Sequence, residues 1–146
     1  MIVMILMIGC NHKNNSDNYE KVWPMFGLRK NWELNLAVGV GSMYNWTIDA
    51  RPEYIRCIGN HIHEINFWGV VWDEIFFCAD NGVVTHIILL KHENITKDTY
   101  FHLKKNMIKE YGDADITEGP TGCVCSNDTT HGELIFNTNG YVLTLY

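Results

Sequence analysis

The sequence has few basic residues, few prolines and little charge, and each shortage excludes a class of protein. Among 146 residues, 11 Lys and Arg stand against 17 Asp and Glu, a formal net charge of -6. Duplex nucleic-acid binders need a basic surface, so no nucleic-acid partner is expected. Only 19% of residues are charged, three are proline and 47% are hydrophobic. This composition excludes disorder, coiled coil and collagen, and the length fits a single folded domain.

The sequence also lacks the motifs of common catalytic sites. It contains no Gly-x-Ser-x-Gly and no P-loop, and Gly39-Val40-Gly41 lacks the third glycine of a dinucleotide-binding loop. Serine occurs only three times, and no cysteine belongs to a local pattern with the histidine that would activate it. We therefore predict that the protein is not an enzyme and uses no cofactor.

An uncharged, nearly continuous apolar segment covers residues 1–9 and is followed by Cys10. It is shorter than the roughly 17–25 residues that span a bilayer, but it matches the apolar region of a signal peptide. A small residue directly before a cysteine at the end of such a run resembles the lipobox of bacterial lipoproteins, in which the cysteine is acylated. The alternative is a first β-strand with a buried cysteine.

This resemblance implies a division of the chain and a location. Residues 1–9 are expected to be a signal peptide, residues 10–20 a flexible tether, and residues 21–146 a single α+β domain. The polar run at 11–18 supports the tether. A lipid such as palmitate on Cys10 would anchor the protein to the bacterial cell envelope, on the periplasmic side or at the cell surface.

The hydrophobic pattern predicts two helices. The stronger spans 96–111, where apolar residues from Tyr100 to Tyr111 repeat with a helical period and Gly112 ends the helix. The weaker spans 31–43, with Asn31 as its cap. Extended runs are predicted at 44–48, 54–58, 61–68, 70–79, 83–90, 114–117, 122–126, 133–138 and 141–146. The expected fold is an antiparallel sheet of about six or seven strands, in the order α-β-β-β-β-α-β-β-β, with both helices on one face.

Two Asn-Gly turns predict hairpins. The Asn81-Gly82 turn sets Phe76 opposite Ile87 and Phe77 opposite His86. Both faces of this hairpin are apolar, so it is expected to be covered on both sides, or on one side by a partner.

The second turn, Asn139-Gly140, sets Phe136 opposite Leu143 and Leu134 opposite Leu145 on one face. The other face of this hairpin then carries Glu133, Ile135, Thr144 and Tyr146. One face is expected to be core and the other half exposed.

The run Gly69-Val70-Val71-Trp72-Asp73-Glu74-Ile75-Phe76-Phe77 precedes the first of these turns and a helix that ends in Tyr111-Gly112. Over about residues 60–146 this arrangement resembles small lipoproteins of Bacteroidetes-type gut bacteria, which have a G-x-x-W/F-D-x-I-x-F strand, a hairpin and a helix ending in Tyr-Gly. The resemblance implies a compartment and a fold. It supplies no functional residues.

His61 and His63 are the candidate metal ligands. On a strand, residues two apart point to the same face, which would place both imidazoles together as zinc sites require. A third ligand would have to come from elsewhere, such as Glu53, His86 or His131. The alternative interpretation is a pair of surface histidines beside a turn.

Two other residue pairs are weaker candidates. Cys123 and Cys125 form a CxC that fits a disulfide or redox pair, or two strand residues on one face. Trp68 and Trp72 share a face of an extended chain unless Gly69 introduces a bulge, and they would form a binding surface if exposed. Buried tryptophan is the commoner situation.

The first functional hypothesis is a membrane-tethered lipoprotein domain that acts as a non-enzymatic binding or envelope-assembly module. It would act on a protein partner through its sheet face or an edge strand. One alternative is a metal-binding protein or hydrolase centred on His61 and His63. Another is an inhibitor or immunity protein whose acidic surface blocks a basic active site.

Overall fold

The computed structural model describes residues 31–112, 115–127 and 130–146, which form a mixed α+β fold. Its helices are α1 (Asn35–Met43) and α2 (Lys97–Tyr111). Its strands are β1 (Thr47–Ala50), β2 (Tyr54–Ile58), β3 (Ile65–Phe67), β4 (Val70–Trp72), β5 (Glu74–Asp80), β6 (Val83–Lys91), β7 (Asp115–Gly119), β8 (Gly122–Ser126), β9 (His131–Asn137) and β10 (Gly140–Leu145). The predicted class, with two helices and a large antiparallel sheet, is confirmed.

Eight strands form one antiparallel sheet in the order β1-β2-β5-β6-β10-β9-β8-β7, and β3 pairs with β4 in a separate hairpin. The predicted strand count and order are therefore wrong. Six strands precede α2 and four follow it. The predicted order has four strands before α2 and three after it. One source of the difference is the segment 65–80, where the backbone forms three strands separated by a turn and a bend.

The β3–β4 hairpin forms the first part of this segment, residues 65–72. Trp68 (φ 51°) and Gly69 (φ 73°) form a tight turn with two left-handed residues, so the chain reverses there instead of continuing as one strand. A bend at Asp73 then separates β4 from β5. The indole Nε1 of Trp72 donates to the carbonyl oxygen of Phe67 at 3.1 Å and ties the two short strands together.

The β5–β6 hairpin has the predicted turn but a different register. A bulge between Cys78 and Ala79 shifts the pairing by one residue. Phe77 consequently lies opposite Ile87, and Phe76 opposite Ile88. The predicted pairs of Phe76 with Ile87 and of Phe77 with His86 are wrong, because the sequence pattern gives no sign of a bulge.

The C-terminal hairpin also differs from the prediction by its register. Its turn falls at 138–139, so Leu143 lies opposite Leu134 and Tyr141 opposite Phe136. The side-chain amide oxygen of Asn137 accepts from the Asn139 backbone N–H at 2.7 Å and stabilises this turn. The shift is two residues, an even number, so each side chain keeps the face that the sequence predicted.

Helix α2 forms where its periodicity predicts. The Thr96 side chain caps the helix by accepting from the Thr99 N–H at 3.1 Å, and Gly112 follows the last turn with a φ of 88°. The buried residues of this helix are Leu103, Met107 and Tyr111.

Helix α1 begins four residues later than expected, at Asn35. Asn31 is not its cap. With a φ of 71°, Asn31 instead donates its backbone N–H to the Val84 carbonyl at 2.8 Å, so residues 31–33 pair with the start of β6. Helical periodicity alone cannot distinguish this short extended segment from a first turn of helix.

Both helices pack on the same face of the eight-stranded sheet, which we call the core face. Gly41 of α1 lies so close to β1 and β2 that a Cβ there would be 2.9 Å from the Cys57 sulfur. Gly132 of β9 likewise accommodates the ring of Tyr111 from α2. The β3–β4 hairpin covers the same face, where Trp72 contacts Tyr141 edge-on at 5.3 Å.

Candidate functional site

The opposite side of the eight-stranded sheet, which we call the open face, has no helix packed on it within the described residues. The strand registers align its side chains in rows that cross the sheet. The middle row consists of Asp49, Arg56, Phe76, Ile88, Thr144, Glu133, Val124 and Thr117. The upper row consists of Ile58, Glu74, Leu90, Val142 and Ile135. Cross-strand neighbours in each row are close enough for their side chains to touch.

The centre of the open face is apolar. Phe76, Ile88, Leu90 and Val142 lie on three adjacent strands and are only partly buried by their neighbours. Ile135, on the next strand, is 48% exposed. An antiparallel sheet with one solvated face normally carries polar side chains on that face. This face departs from that rule over its central strands.

One charged network borders the apolar centre. Arg56 Nε lies 2.6 Å from Glu74 Oε2, and His92 Nε2 lies 3.0 Å from Glu74 Oε1. The hydrogen bond from Arg56 lowers the pKa of Glu74, and the same contact raises the pKa of Arg56. The Arg56 guanidinium also lies 5.8 Å from the centre of the Phe76 ring, within cation–π distance. These charges are therefore compensated within the molecule.

A stack of three rings forms the lower border. Tyr146 lies between His86 and His131, with ring centroids 4.9 Å and 4.0 Å away and interplanar angles of 20° and 19°. The His86 ring nitrogen Nδ1 is also 2.8 Å from the Thr85 hydroxyl. The stack makes this border of the open face aromatic.

A second polar cluster lies under α2 on the core face. The Tyr100 hydroxyl donates to Glu118, and Lys104 Nζ lies 2.6 Å from the other carboxylate oxygen. These two contacts lower the pKa of Glu118. Tyr100 also reaches the thiol of Cys123, but burial of that thiol raises its pKa. A protonated thiol is a poor nucleophile, so the cluster has the character of a structural link between α2 and β7.

Cys123 and Cys125 lie on one face of β8, as the strand interpretation predicts, and both are buried free thiols. The pKa of Cys125 is raised by burial as well. The disulfide or redox interpretation stays a prediction. Cys57 is buried in the core, whereas Cys78 is half-buried on the open face beside Tyr54 and His86.

The geometric premise for His61 and His63 is wrong. Residues 61–63 form a bend and not a strand, because the Asn60 side-chain oxygen accepts the backbone N–H groups of Ile62 and His63, both at 2.9 Å. His61 is exposed, and His63 is half-buried. The described residues contain no group of three His, Cys, Asp or Glu side chains placed to hold a metal ion.

The turn at Gly69 separates the two candidate tryptophans. Trp72 is 1% exposed and belongs to the core. Trp68 is half-buried in the hairpin turn, tilted against Phe67 at 4.8 Å, and its carbonyl oxygen lies 2.6 Å from His102 Nε2. Neither residue lies on the open face. The sequence predicts that the residues of the open face lie on strands, but it does not single them out as a site. Their exposure depends on which side of the sheet the helices cover.

Cys10 and the predicted signal peptide and tether lie outside the described residues. In the described part of the chain, no helix is both long and apolar enough to cross a membrane. The sequence matches no family model, no curated protein and no solved structure.

Proposed function

We propose that this protein is a non-enzymatic binding module, tethered to the bacterial cell envelope through an acylated Cys10, that binds a protein partner through its open face. The observation that carries the proposal is the apolar centre of that face, formed by Phe76, Ile88, Leu90 and Val142 with the exposed Ile135 beside them. Contiguous apolar surface of this kind marks interaction sites, because its exposure to water is unfavourable.

The shape of the surface favours a protein over a small ligand. Two shallow cavities in the described part of the chain have volumes of about 240 Å³ and 260 Å³. Small-molecule sites are concave and typically have volumes of about 300–1,000 Å³. The second cavity lies at the β7–β9 end of the open face, beside Val124, Glu133 and Ile135. The rest of this face is a broad sheet surface with an apolar centre and a charged and aromatic border, the arrangement that protein interfaces have.

Site-specific photocrosslinking in cells tests the binding surface. A photoreactive phenylalanine analogue replaces Ile135 on the open face or Leu36 on α1. The two side chains are 48% and 45% exposed, so they have equal access to solvent. We expect a protein adduct from position 135 and none from position 36. Equal crosslinking at both positions, or none at 135, would contradict a binding role for the open face.

Metabolic labelling with a palmitate analogue tests the tether separately. The wild-type chain should incorporate the label, and Cys10→Ala should not. Equal labelling of the two chains would overturn the lipid anchor and leave the binding surface to the crosslinking result.

A further inference from the structure

The area of the open face is large enough for a specific protein interface. Six central strands at about 4.8 Å spacing and five residues at about 3.3 Å rise give a face of roughly 29 Å by roughly 17 Å, about 500 Å². Two such faces packed together would bury about 1,000 Å² in total, the lower limit for a specific interface. Twisted sheets pack in this way in β-sandwiches, with their strands about 30° apart.

The register makes this face complementary to itself. Strands β6 and β10 occupy the centre of the eight-stranded sheet, with β5 and β9 on either side of them. Two copies of the sheet can face each other across a two-fold axis that runs parallel to the strands, between β6 and β10. This axis places β5 of one copy against β9 of the other, and each cross-strand row faces the same row of the second copy. The apolar residues of β6, Ile88 and Leu90, then meet the residues of β10 in the second copy.

The charges of the middle row match under the same axis. Glu133 of β9 comes to lie against Phe76 of β5 in the other copy, beside the Arg56 guanidinium that lies over that ring. Arg56 donates to Glu74 through its Nε, and the nearby carboxylate of Asp49, opposite it on β1, pairs with Arg51 at 3.0 Å. The terminal guanidinium nitrogens of Arg56 can therefore donate to a further carboxylate. Glu133 forms no ion pair within the described residues. Each copy therefore supplies one acceptor, the Glu133 carboxylate, and one donor, the Arg56 guanidinium. The two-fold axis pairs them twice, once on each side of the interface.

We infer that the open face binds a second copy of this chain, forming a symmetric dimer in which Glu133 of each copy pairs with Arg56 of the other. The inference rests on the proposed function, because it names the partner of the same surface. A symmetric interface uses the same patch on both subunits, so the patch must be complementary to itself. The open face meets this condition because its acid and its base lie on opposite sides of the apolar centre.

Sedimentation velocity over a series of micromolar concentrations tests the dimer. The full chain is used in a non-ionic detergent with Cys10→Ala in every sample, so that acylation does not contribute. We expect the parent chain to dimerise, and Glu133→Arg and Arg56→Glu each to weaken dimerisation at least about tenfold. The combined charge exchange should dimerise at least about tenfold more tightly than Arg56→Glu alone, because both lack the Arg56–Glu74 pair and only the double variant regains an acid–base pair between the copies. A double variant as weak as Arg56→Glu would overturn the pairing.

A second pair of variants tests the apolar centre without disturbing the ion pair of Arg56 with Glu74. Ile135→Glu should weaken dimerisation at least about tenfold, since the two-fold axis places it against Glu74 of the other copy, and Leu36→Glu on α1 should leave it unchanged. Denaturant unfolding of each variant shows that its fold is retained. Equal effects of the two glutamates would contradict the inference.

The outcomes also separate this inference from the proposed function. A chain that stays monomeric at every concentration overturns the dimer. If position 135 then crosslinks to a different protein in cells, the binding role of the open face still holds. If position 135 crosslinks to nothing, both proposals fail.

Discussion

Phe76 lies directly opposite Ile88 on the open face, one residue away from the pairing that the Asn81-Gly82 turn would set in a regular hairpin. The extra residue of the bulge, near Thr85, causes this difference. It also brings Phe77 opposite Ile87 in the core, where both are 0% exposed. One local irregularity thus determines which aromatic pairs with which aliphatic residue on each side of the sheet.

Two glycines of α1 should respond oppositely to alanine. A Cβ at Gly39 meets nothing within 4 Å, so Gly39→Ala should stabilise the protein by about 0.5–1 kcal/mol through its higher helix propensity. A Cβ at Gly41 would lie 2.9 Å from both Cys57 and Ile48, so Gly41→Ala should destabilise it by about 1–3 kcal/mol. Urea unfolding measures both, and equal shifts would contradict the close packing of α1 on the sheet.

The Thr96 cap should contribute measurably to the stability of α2. Removing its hydroxyl in Thr96→Ala leaves the Thr99 N–H without its side-chain acceptor and should cost about 1 kcal/mol. Thr96→Ser retains the hydroxyl and serves as the control. Denaturant unfolding should place the serine variant near the wild type, and a serine variant as unstable as the alanine variant would refute the capping role.

The Arg56–Glu74 pair should make stability depend on pH in the acid range. The pKa of Glu74 is lower in the folded protein than in the unfolded chain, because Arg56 donates to its carboxylate. Its stabilising contribution is therefore complete above the unfolded glutamate pKa and is lost as pH falls through the lowered folded value. Glu74→Gln should cost about 1 kcal/mol near neutral pH, and the cost should shrink towards zero in acid.

Unfolding curves at several pH values measure this dependence. Glu64→Gln removes an exposed carboxylate that has no ion pair within the described residues, and it controls for the change in net charge. A Glu74→Gln deficit that does not change with pH would show that the pair contributes nothing to the linkage.

The four cysteines of the domain should resist alkylation in the folded state. Burial raises the pKa of Cys57 and of Cys78 to about 11 and also raises that of Cys123 and Cys125, so thiolate is scarce near neutral pH. Iodoacetamide labelling followed by peptide mass spectrometry should modify all four only after unfolding. If Cys123 and Cys125 instead stay unlabelled in denaturant without reductant, they form the disulfide that their spacing allows.

Local sequence signals were reliable where the structure depends on local interactions. The helix predicted at 96–111 follows from its apolar period and the stop at Gly112, both within one segment. Runs such as 54–58 and 122–126 coincide with β2 and β8. The signals failed where two backbones approach each other, as at the bulge in the β5–β6 hairpin and at the pairing of residues 31–33 with β6.

The candidate site was predicted only in part. The sequence indicated that the hairpin around Asn81-Gly82 is apolar on both faces. It also indicated that Ile135 and Glu133 share a face, because side chains alternate along a strand and a register shift of an even number of residues leaves each on its own face. The sequence also gave Trp68 and Trp72 as a possible binding surface. The chain reverses at Trp68-Gly69, however, and neither tryptophan lies on the open face.

The sequence by itself determined the mixed α+β class, the second helix, most strand positions and the low charge of the sheet. These depend on composition and on the period of side chains along one segment. Only the tertiary structure decided which side of each strand the helices cover and that Arg56, Phe76, Ile88, Thr144 and Glu133 lie in one row across the opposite side. Such a row joins strands up to about ninety residues apart, and its alignment is set by interstrand hydrogen bonds and a bulge that no single segment encodes.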